Sequence, residues 1–370
     1  MVRSVLPGRV RAAVGAGFLT LTLALSGATA PAAATLPPFA GPQFNSVAPV
    51  LQQVTPAVVN IAVRGHVRER NPLFQDPFFR RFFDMPEVVE REVQAAGSGV
   101  IVDARNGYIL TNNHVVDDAD TIEVTTKDNR RFKARLVGRD PGTDIAVLQI
   151  PGSSSLTEMA FGDSDRLQVG DFVLAIGNPF GLGQTVTSGI VSALGRSGIG
   201  HNGGYEDFIQ TDASINPGNS GGALVDLNGR LIGINTAILS STGGNVGIGF
   251  AVPINMARAV LDQIVRHGSV QRGRIGVSIR DLTPDLSQSL HLDRTDGAMV
   301  VSVDRSSPAA RAGLRPNDLV LAVDGAPVRN STELRNKIGL SPVGSRVELT
   351  IERDGRTQTV EVEVAPSGRS

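Results

Sequence analysis

The feature that most constrains this chain is a serine enclosed by glycines, Gly218-Asn219-Ser220-Gly221-Gly222. Gly218 and Gly221 can adopt positive φ values that other residues resist, so the backbone around Ser220 can form a tight turn. In such a turn the N–H groups near Ser220 converge on one point, as they must in an oxyanion hole. A glycine-rich turn without a catalytic role has the same composition. A base and a group that orients it would favour the catalytic interpretation.

Both groups are present upstream of the serine. Of the five histidines, only His114 lies at the end of a strand-like segment, residues 107–111. Asp144 directly precedes an apolar run, residues 145–150, a setting in which a carboxylate is buried against a base. The order His114, Asp144, Ser220 is that of chymotrypsin-type proteases and differs from the order in subtilisins and α/β-hydrolases. We therefore predict that these three residues form a catalytic triad.

Composition favours a β-rich globular protein. The chain has 370 residues, enough for two or three domains, with 42 glycines and only 4 % aromatic residues, which favours many turns and short strands. The net charge is −1, and no basic patch with interleaved aromatics occurs, so we predict no nucleic-acid partner. The absence of cysteine excludes disulfides and a cysteine nucleophile. No His/Asp/Glu cluster has metal-ligand spacing, so we predict no metal and no cofactor.

The N-terminus has the pattern of an export signal. Arg3, Arg9 and Arg11 precede an uncharged run, residues 12–25, and small residues follow as far as Ala34. We predict a signal peptide over residues 1–34, a flexible lead-in over 35–45, and export to the periplasm. A retained membrane anchor is the less favoured alternative, because the run is short for a bilayer span.

Three separated blocks resemble the catalytic signatures of HtrA/Deg serine proteases. They are residues 111–116 around the histidine, 142–147 around the aspartate and 218–222 around the serine. The resemblance extends from about residue 45 to the C-terminus. It implies a mostly β protein with a chymotrypsin-like double β-barrel protease domain at 46–268, followed by one PDZ domain at 272–366. It also implies an oxyanion hole formed by Gly218, Asn219 and Ser220.

The resemblance further assigns two loops of the protease domain. Residues 195–206 resemble a sensor loop in which Arg196 matches a residue tied to activation, although a plain hairpin excursion has the same composition. Ile238 and Leu239 fall at the wall of the specificity pocket and would make it apolar, which suits cleavage after small or aliphatic residues. Asp212, eight residues before the serine, is interpreted as structural.

The C-terminal segment resembles a PDZ domain, which adds a peptide strand to a sheet edge and holds its terminal carboxylate. Its carboxylate loop would be Arg274-Ile275-Gly276-Val277. Ile275 and Val277 would line the peptide groove with Leu334 and Ile338, which lie on an amphipathic helix that Ser331 is predicted to cap. An interdomain packing module is the alternative.

Residues 66–95 are rich in charge and carry five of the fourteen phenylalanines. Phe78, Phe79, Phe82 and Phe83 would share one face of a helix. One interpretation is a helix packed on its own domain. The other, implied by the resemblance, is a mobile loop that reaches a neighbouring subunit.

The leading functional prediction is a serine endopeptidase that degrades misfolded or damaged exported proteins, with or without chaperone activity. No Gly-x-x-x-x-Gly-Lys-Ser/Thr motif occurs, so we expect it to act without ATP. The expected partners are unfolded proteins, peptides with apolar C-termini, and copies of the chain itself in a homotrimer or higher homo-oligomer. Two alternatives remain: a regulatory site-specific protease of envelope stress signalling, and a peptide-binding chaperone with a dormant triad.

Overall fold

The computed structural model describes residues 46–70, 88–152, 155–179, 183–199, 204–216, 218–238, 246–290 and 292–367. For residues 67–70, 88–93, 237 and 238 it describes the backbone alone. The predicted signal peptide and lead-in lie outside these ranges, as do Leu239 and the five phenylalanines of the charged segment. Within the ranges, no helix is both long and apolar enough to span a bilayer.

Residues 46–70 and 88–150 form a closed antiparallel barrel that begins with helix α1 (Ala48–Val54). Its apolar residues point inward around a core that includes Ile61, Ile101 and Leu148. Strand β3 (Tyr108–Asn112) leads to His114, and strand β6 (Ile145–Gln149) directly follows Asp144. Both strands are almost wholly buried, which fixes the positions of His114 and Asp144. The barrel has six strands, in the spatial order β1-β2-β3-β6-β5-β4: β1 (Val58–Arg70), β2 (Val88–Asp103), β3 (Tyr108–Asn112), β4 (Thr121–Thr125), β5 (Arg131–Asp140) and β6 (Ile145–Gln149).

The charged segment at 66–95 is not helical at its two ends. Strands β1 and β2 continue their antiparallel pairing from Val58 and Val100 out to Arg70 and Val88. The helix was predicted from the phenylalanines at 78–83, which lie outside the described residues, so it stays a prediction.

A second closed barrel follows, as predicted. Helix α2 (Ile254–His267) ends at Gly268, whose φ of 75° closes the helix in the left-handed conformation. Its apolar face packs into a core that contains residues of both barrels. The barrel strands, in the order β10-β11-β12-β9-β8-β7, are β7 (Phe172–Gly177), β8 (Thr185–Arg196), β9 (Phe208–Thr211), β10 (Ala223–Asp226), β11 (Leu231–Ile238) and β12 (Gly249–Pro253).

The C-terminal domain is a sheet capped by short helices, with its own core. Strand β14 lies at one edge of that sheet, which has the order β14-β15-β16-β18-β19 with β17 beside β16, while β13 pairs with β20. Its strands are β13 (Gly273–Arg274), β14 (Val277–Asp281), β15 (Ala298–Val303), β16 (Leu319–Val323), β17 (Ala326–Pro327), β18 (Arg346–Arg353), β19 (Arg356–Glu363) and β20 (Ala365–Pro366). Its helices are α3 (Pro284–Ser289), α4 (Pro308–Arg311) and α5 (Ser331–Leu340).

Leu334 and Ile338 lie on helix α5 as predicted, but this helix is mostly buried, polar Glu333 and Asn336 included, instead of amphipathic. Its cap also differs. The Asn330 side chain accepts a hydrogen bond from the N–H of Glu333 at 2.8 Å, so Asn330 is the N-cap. Ser331 instead donates its hydroxyl to Asp281, the last residue of β14, at 2.5 Å. The cap is therefore one residue earlier than predicted, and Ser331 ties the helix to the edge strand.

The barrels and the C-terminal domain belong to one compact unit, residues 47–370. Gln263 on α2 donates its side-chain amide to the carbonyl of Leu340 at the end of α5, at 2.9 Å. At the joint between the domains, the guanidinium of Arg272 donates to both carboxylate oxygens of Asp140, at 2.6 and 2.7 Å. Both charged groups are largely buried, so this ion pair fixes the joint against the first barrel.

Candidate active site

His114 and Asp144 are brought together by two neighbouring strands of the first barrel. His114 Nδ1 lies 2.8 Å and 3.0 Å from the two carboxylate oxygens of Asp144. The backbone N–H of His114 also donates to Asp144 Oδ1, at 3.0 Å. A carboxylate can only accept, so Nδ1 carries the proton and Nε2 is left with its lone pair. This is the tautomer that a general base requires.

The backbone of Asp144 is itself held in an uncommon conformation. Its φ is 56°, in the left-handed region, which aspartate tolerates better than most residues. Its carbonyl accepts two hydrogen bonds, from the N–H of Asn113 and from the side-chain amide of Asn112, both at 3.0 Å. These bonds connect the loop of the acid to the segment that carries the base.

Thr236, on strand β11 of the second barrel, contacts both Asp144 and Ser220. Its hydroxyl donates to Asp144 Oδ2 at 2.5 Å, and its carbonyl accepts the hydroxyl hydrogen of Ser220 at 2.9 Å. Among the described residues, Ser220 Oγ makes no hydrogen bond to His114. In this structure the Ser220 hydroxyl is therefore directed to Thr236 rather than to His114.

Sequence reasoning missed Thr236. The available signal was its position in the segment 235–246 that the specificity pocket occupies by resemblance, but nothing in that segment marks a threonine as a partner of Asp144. The contact spans 92 positions and depends on how the two barrels pack.

The turn that carries Ser220 depends on glycines where other residues would clash. Gly218 and Gly221 have φ values of 96° and 82°. A Cβ atom on Gly221 would lie 2.1 Å from the carbonyl oxygen of Ser98, and one on Gly218 would lie 2.3 Å from Pro179. Both positions thus require glycine for conformation and for space.

The predicted oxyanion hole has two N–H groups that face no acceptor among the described residues, those of Gly218 and Ser220. The third predicted donor, Asn219 N–H, is directed to the carbonyl of Asn216 at 2.9 Å. Of the three predicted donors, Gly218 and Ser220 are therefore the two whose N–H groups make no hydrogen bond to a described residue.

The remaining predicted positions of the second barrel are distributed as follows. Arg196 lies at the end of β8, and its Nε donates to Gln210 Oε1 at 2.9 Å. Asp212 accepts the N–H of Ile190 at 2.8 Å and so supports the seam between β8 and β9. Ile238 is the last residue of β11, where only its backbone is described, and Leu239 lies outside the described residues.

The predicted peptide groove of the C-terminal domain is assembled around β14 and α5. Ile275, Leu334 and Ile338 are buried in one cluster, and Val277 packs against its edge. Gly276 has a φ of 80°, and its carbonyl accepts the N–H of Asp304 at 3.0 Å. Arg274 is exposed in β13. Since β14 is an edge strand, one side of it is available for an added strand.

Tyr205 in the predicted sensor loop joins the C-terminal domain to the loop of the acid. Its ring is flanked by the guanidinium groups of Arg272, 4.0 Å from the ring centre, and of Arg335 on α5, at 5.3 Å. Its N–H donates to the carbonyl of Gly142, two residues before Asp144, at 2.6 Å. Tyr205 therefore contacts both α5 and the loop that carries Asp144.

Asp207, near the contact between the second barrel and helix α5, is a carboxyl group with an altered pKa. Burial, and after it the carboxylate of Glu333 on α5, raise the pKa of Asp207 from 3.8 to about 7 against the opposing effect of Arg329. Glu333 is 2 % exposed and pairs with Arg329 at 2.7 Å. Asp207 thus changes charge near neutral pH at the contact between the two domains.

Comparisons with known proteins agree with this geometry. Residues 97–234 match the model of a trypsin-like peptidase domain, and residues 273–364 match that of a PDZ domain. Periplasmic serine endoprotease DegP of Escherichia coli is 45 % identical over 382 residues, covering 97 % of this chain and 80 % of DegP. The chain belongs to the HtrA/Deg family of serine endoproteases.

Two further relatives of this HtrA-type protease are informative. Periplasmic pH-dependent serine endoprotease DegQ of Escherichia coli is 47 % identical over 327 residues, covering 88 % of this chain and 71 % of DegQ. The solved structure of HtrA-type protease AlgW with decapeptide has a TM-score of 0.60 and 47 % identity, covering 88 % of this chain and all of that one. The prediction of a chymotrypsin-like double barrel followed by one PDZ domain is confirmed, as is serine endopeptidase activity as the class.

Proposed function

We propose that this protein is an ATP-independent serine endopeptidase of the periplasm that degrades misfolded or damaged exported proteins. Ser220 is the nucleophile, His114 the general base and Asp144 the residue that orients the imidazole. The observation that carries the proposal is Thr236, which binds Asp144 through its hydroxyl and Ser220 through its carbonyl. Periplasmic relatives support the location.

The proposed chemistry requires the Ser220 hydroxyl to adopt a second orientation besides the one seen in the structure. Rotation about its χ1 angle moves the hydroxyl from the carbonyl of Thr236 toward Nε2 of His114. Ser220 Oγ then attacks the scissile carbonyl carbon while its proton passes to Nε2, and Asp144 stabilises the imidazolium that forms. The N–H groups of Gly218 and Ser220 bind the oxyanion. His114 returns the proton to the leaving amine.

We propose that two apolar sites determine which substrates are bound and cleaved. Ile238 and Leu239 line the specificity pocket and favour small or aliphatic residues. The PDZ domain captures apolar C-termini by adding the peptide as a strand to the free edge of β14, with Arg274-Ile275-Gly276-Val277 as the carboxylate loop. Ile275, Val277, Leu334 and Ile338 form the apolar floor of this groove, consistent with their shared cluster.

A second candidate function is site-specific regulatory proteolysis. It is favoured by the contacts of Tyr205, which connect helix α5 beside the peptide groove to the loop that carries Asp144. In this case peptide capture would switch cleavage on, and Arg196 and the sensor loop would transmit the signal. The two candidate functions predict different results in the absence of an activating peptide. A general degrading protease cuts unfolded substrate without the peptide, whereas a switched protease does not.

We further propose that the protein assembles as a homotrimer or a higher homo-oligomer. The second barrel exposes Val169 and Phe172, at 63 % and 45 % of their surface, beside a cleft of about 550 Å³. These two exposed apolar side chains mark the proposed contact surface between copies of the chain. Phe172→Asp should reduce the mass measured by light scattering, whereas Val265→Asp, at an exposed valine on α2, should not. If the mass of Phe172→Asp is unchanged, the interface between subunits must lie elsewhere on the protein.

The experiment that tests the main proposal compares wild type with Ser220→Ala on unfolded casein, with and without a peptide that ends in an apolar residue. Loss of cleavage in the variant and stimulation by the peptide support a serine protease under PDZ control. Equal residual cleavage in both proteins would refute the assigned nucleophile. Absence of cleavage in both, with aggregation of casein still suppressed, would favour the chaperone.

A further inference from the structure

Ser98 lies on β2 of the first barrel, yet its contacts reach the nucleophile turn of the second. It is fully buried. Its hydroxyl donates to the carbonyl of Gly218 at 2.6 Å and accepts the N–H of Asn178 at 2.8 Å. Its own N–H donates to the carbonyl of Ser220, at 2.8 Å. One residue thus contacts both ends of the segment that forms the oxyanion hole.

The direction of the Ser98 hydroxyl is unambiguous. Asn178 presents an N–H, which can only donate, and Gly218 presents a carbonyl, which can only accept. The single hydroxyl proton must therefore point at Gly218. Ser98 is also held from its other side, because its carbonyl accepts the hydroxyl of Thr111, three residues before His114, at 2.7 Å.

The peptide between Gly218 and Asn219 is fixed at both ends by these bonds. A peptide unit is planar, so its carbonyl and N–H turn together. Ser98 holds the carbonyl, and the carbonyl of Asn216 holds the N–H at 2.9 Å. A glycine at a φ of 96° has wide freedom to rotate, so side-chain constraint is needed to keep one orientation.

We propose that Ser98 is a positioning residue for the oxyanion hole. By holding the Gly218–Asn219 peptide, it sets the directions of the Gly218 N–H on one side and the Ser220 N–H on the other. The constraint comes from the first barrel, so the hole is complete only when the two barrels are packed correctly. This inference rests on the proposed roles of Ser220 and the oxyanion donors.

The test is Ser98→Ala, with Ser164→Ala as the matched control. Ser164 is also a buried serine, and its hydroxyl accepts the N–H of Asn255 at 3.1 Å, away from the turn. Cleavage of a peptide with an aliphatic residue before the scissile bond gives kcat and KM. Removing an oxyanion donor costs about 100- to 1,000-fold in kcat, and losing only its orientation should cost about 10- to 100-fold. KM should stay within about twofold.

A second readout separates positioning from general damage. A peptidyl trifluoromethyl ketone adds Ser220 Oγ to its carbonyl carbon, the hydroxyl proton passes to His114, and the resulting oxyanion occupies the hole. Its affinity for Ser98→Ala should fall by a factor similar to that for kcat. Ser164→Ala should keep wild-type kcat and inhibitor affinity. Wild-type kcat in Ser98→Ala, or a rise in KM with kcat unchanged, would overturn the proposal.

Ser98→Cys covers the case in which the alanine variant does not fold. A thiol retains a side chain at the site but is a weak donor with a longer bond, so it cannot reproduce a 2.6 Å contact. We expect Ser98→Cys to keep the melting temperature of the wild type while its kcat falls at least about fivefold. A kcat equal to that of the wild type would overturn the proposal. Ser220→Ala is measured alongside, because cleavage in that variant would refute the nucleophile rather than the role of Ser98.

Discussion

Thr236 donates its hydroxyl to Asp144 Oδ2 at 2.5 Å, a contact between the second barrel and the acid of the first. Asp144 also accepts two hydrogen bonds from His114, so Thr236 completes the set that fixes the carboxylate plane. The orientation of the Asp144 carboxylate therefore depends on how the two barrels pack against each other.

Thr236→Val should lower kcat by about tenfold, because the hydroxyl is lost while the shape is kept, and a misdirected carboxylate no longer orients His114. Thr236→Ser is the matched variant that retains the donor and should keep kcat within about threefold. Steady-state kinetics on a peptide substrate measures both. Equal loss in the two variants would show that the methyl group, rather than the hydroxyl, is what matters.

Arg272→Ala should lower the melting temperature, because it leaves the buried carboxylate of Asp140 without its cation. Breaking a buried ion pair from one side costs about 3–5 kcal/mol. Arg272→Ala combined with Asp140→Asn removes the unpaired charge and should be more stable than Arg272→Ala alone. Thermal unfolding of the three proteins tests this, and a double variant less stable than the single one would contradict it.

Asp207→Asn should change how stability depends on pH. A carboxyl group whose pKa is raised on folding from 3.8 to about 7 destabilises the folded state when it ionises. That cost is absent below about pH 3.8, grows between pH 3.8 and 7, and is complete above pH 7. The variant should match wild type near pH 4 and exceed it by about 1–3 kcal/mol at pH 8. Melting temperatures across this range measure the difference; parallel curves would exclude Asp207 as the cause.

Gly276→Ala should weaken peptide binding to the PDZ domain by at least about tenfold, because its Cβ would lie 2.3 Å from Ser307 Cβ and displace the carboxylate loop. Gly313→Ala is the control: its φ is also near 80°, but a Cβ there meets nothing within 4 Å. It should cost only about 1 kcal/mol of stability and leave affinity unchanged. Fluorescence polarisation with a labelled peptide measures affinity. Equal loss in both variants would assign the effect to backbone strain.

The class of the protein could be predicted from sequence alone. The glycines around Ser220 and the order His114, Asp144, Ser220 predicted a serine protease, because short-range patterns specify turns and the residues they carry. The resemblance of separate blocks to HtrA/Deg proteases implied the double barrel and the PDZ domain. The cap of α5 was placed on Ser331 instead of Asn330, where two adjacent polar residues compete for one position.

How the three residues of the proposed triad are supported depends on the packing of the domains. The contacts Thr236–Asp144, Ser98–Gly218 and Arg272–Asp140 span 92, 120 and 132 residues of sequence. Each exists only because two barrels, or a barrel and the PDZ domain, pack at a particular angle. No local pattern records that angle, since it is set by the sum of many apolar contacts in the shared core. The orientation of the Ser220 hydroxyl toward Thr236 is likewise a property of the packed site and not of the motif that contains it.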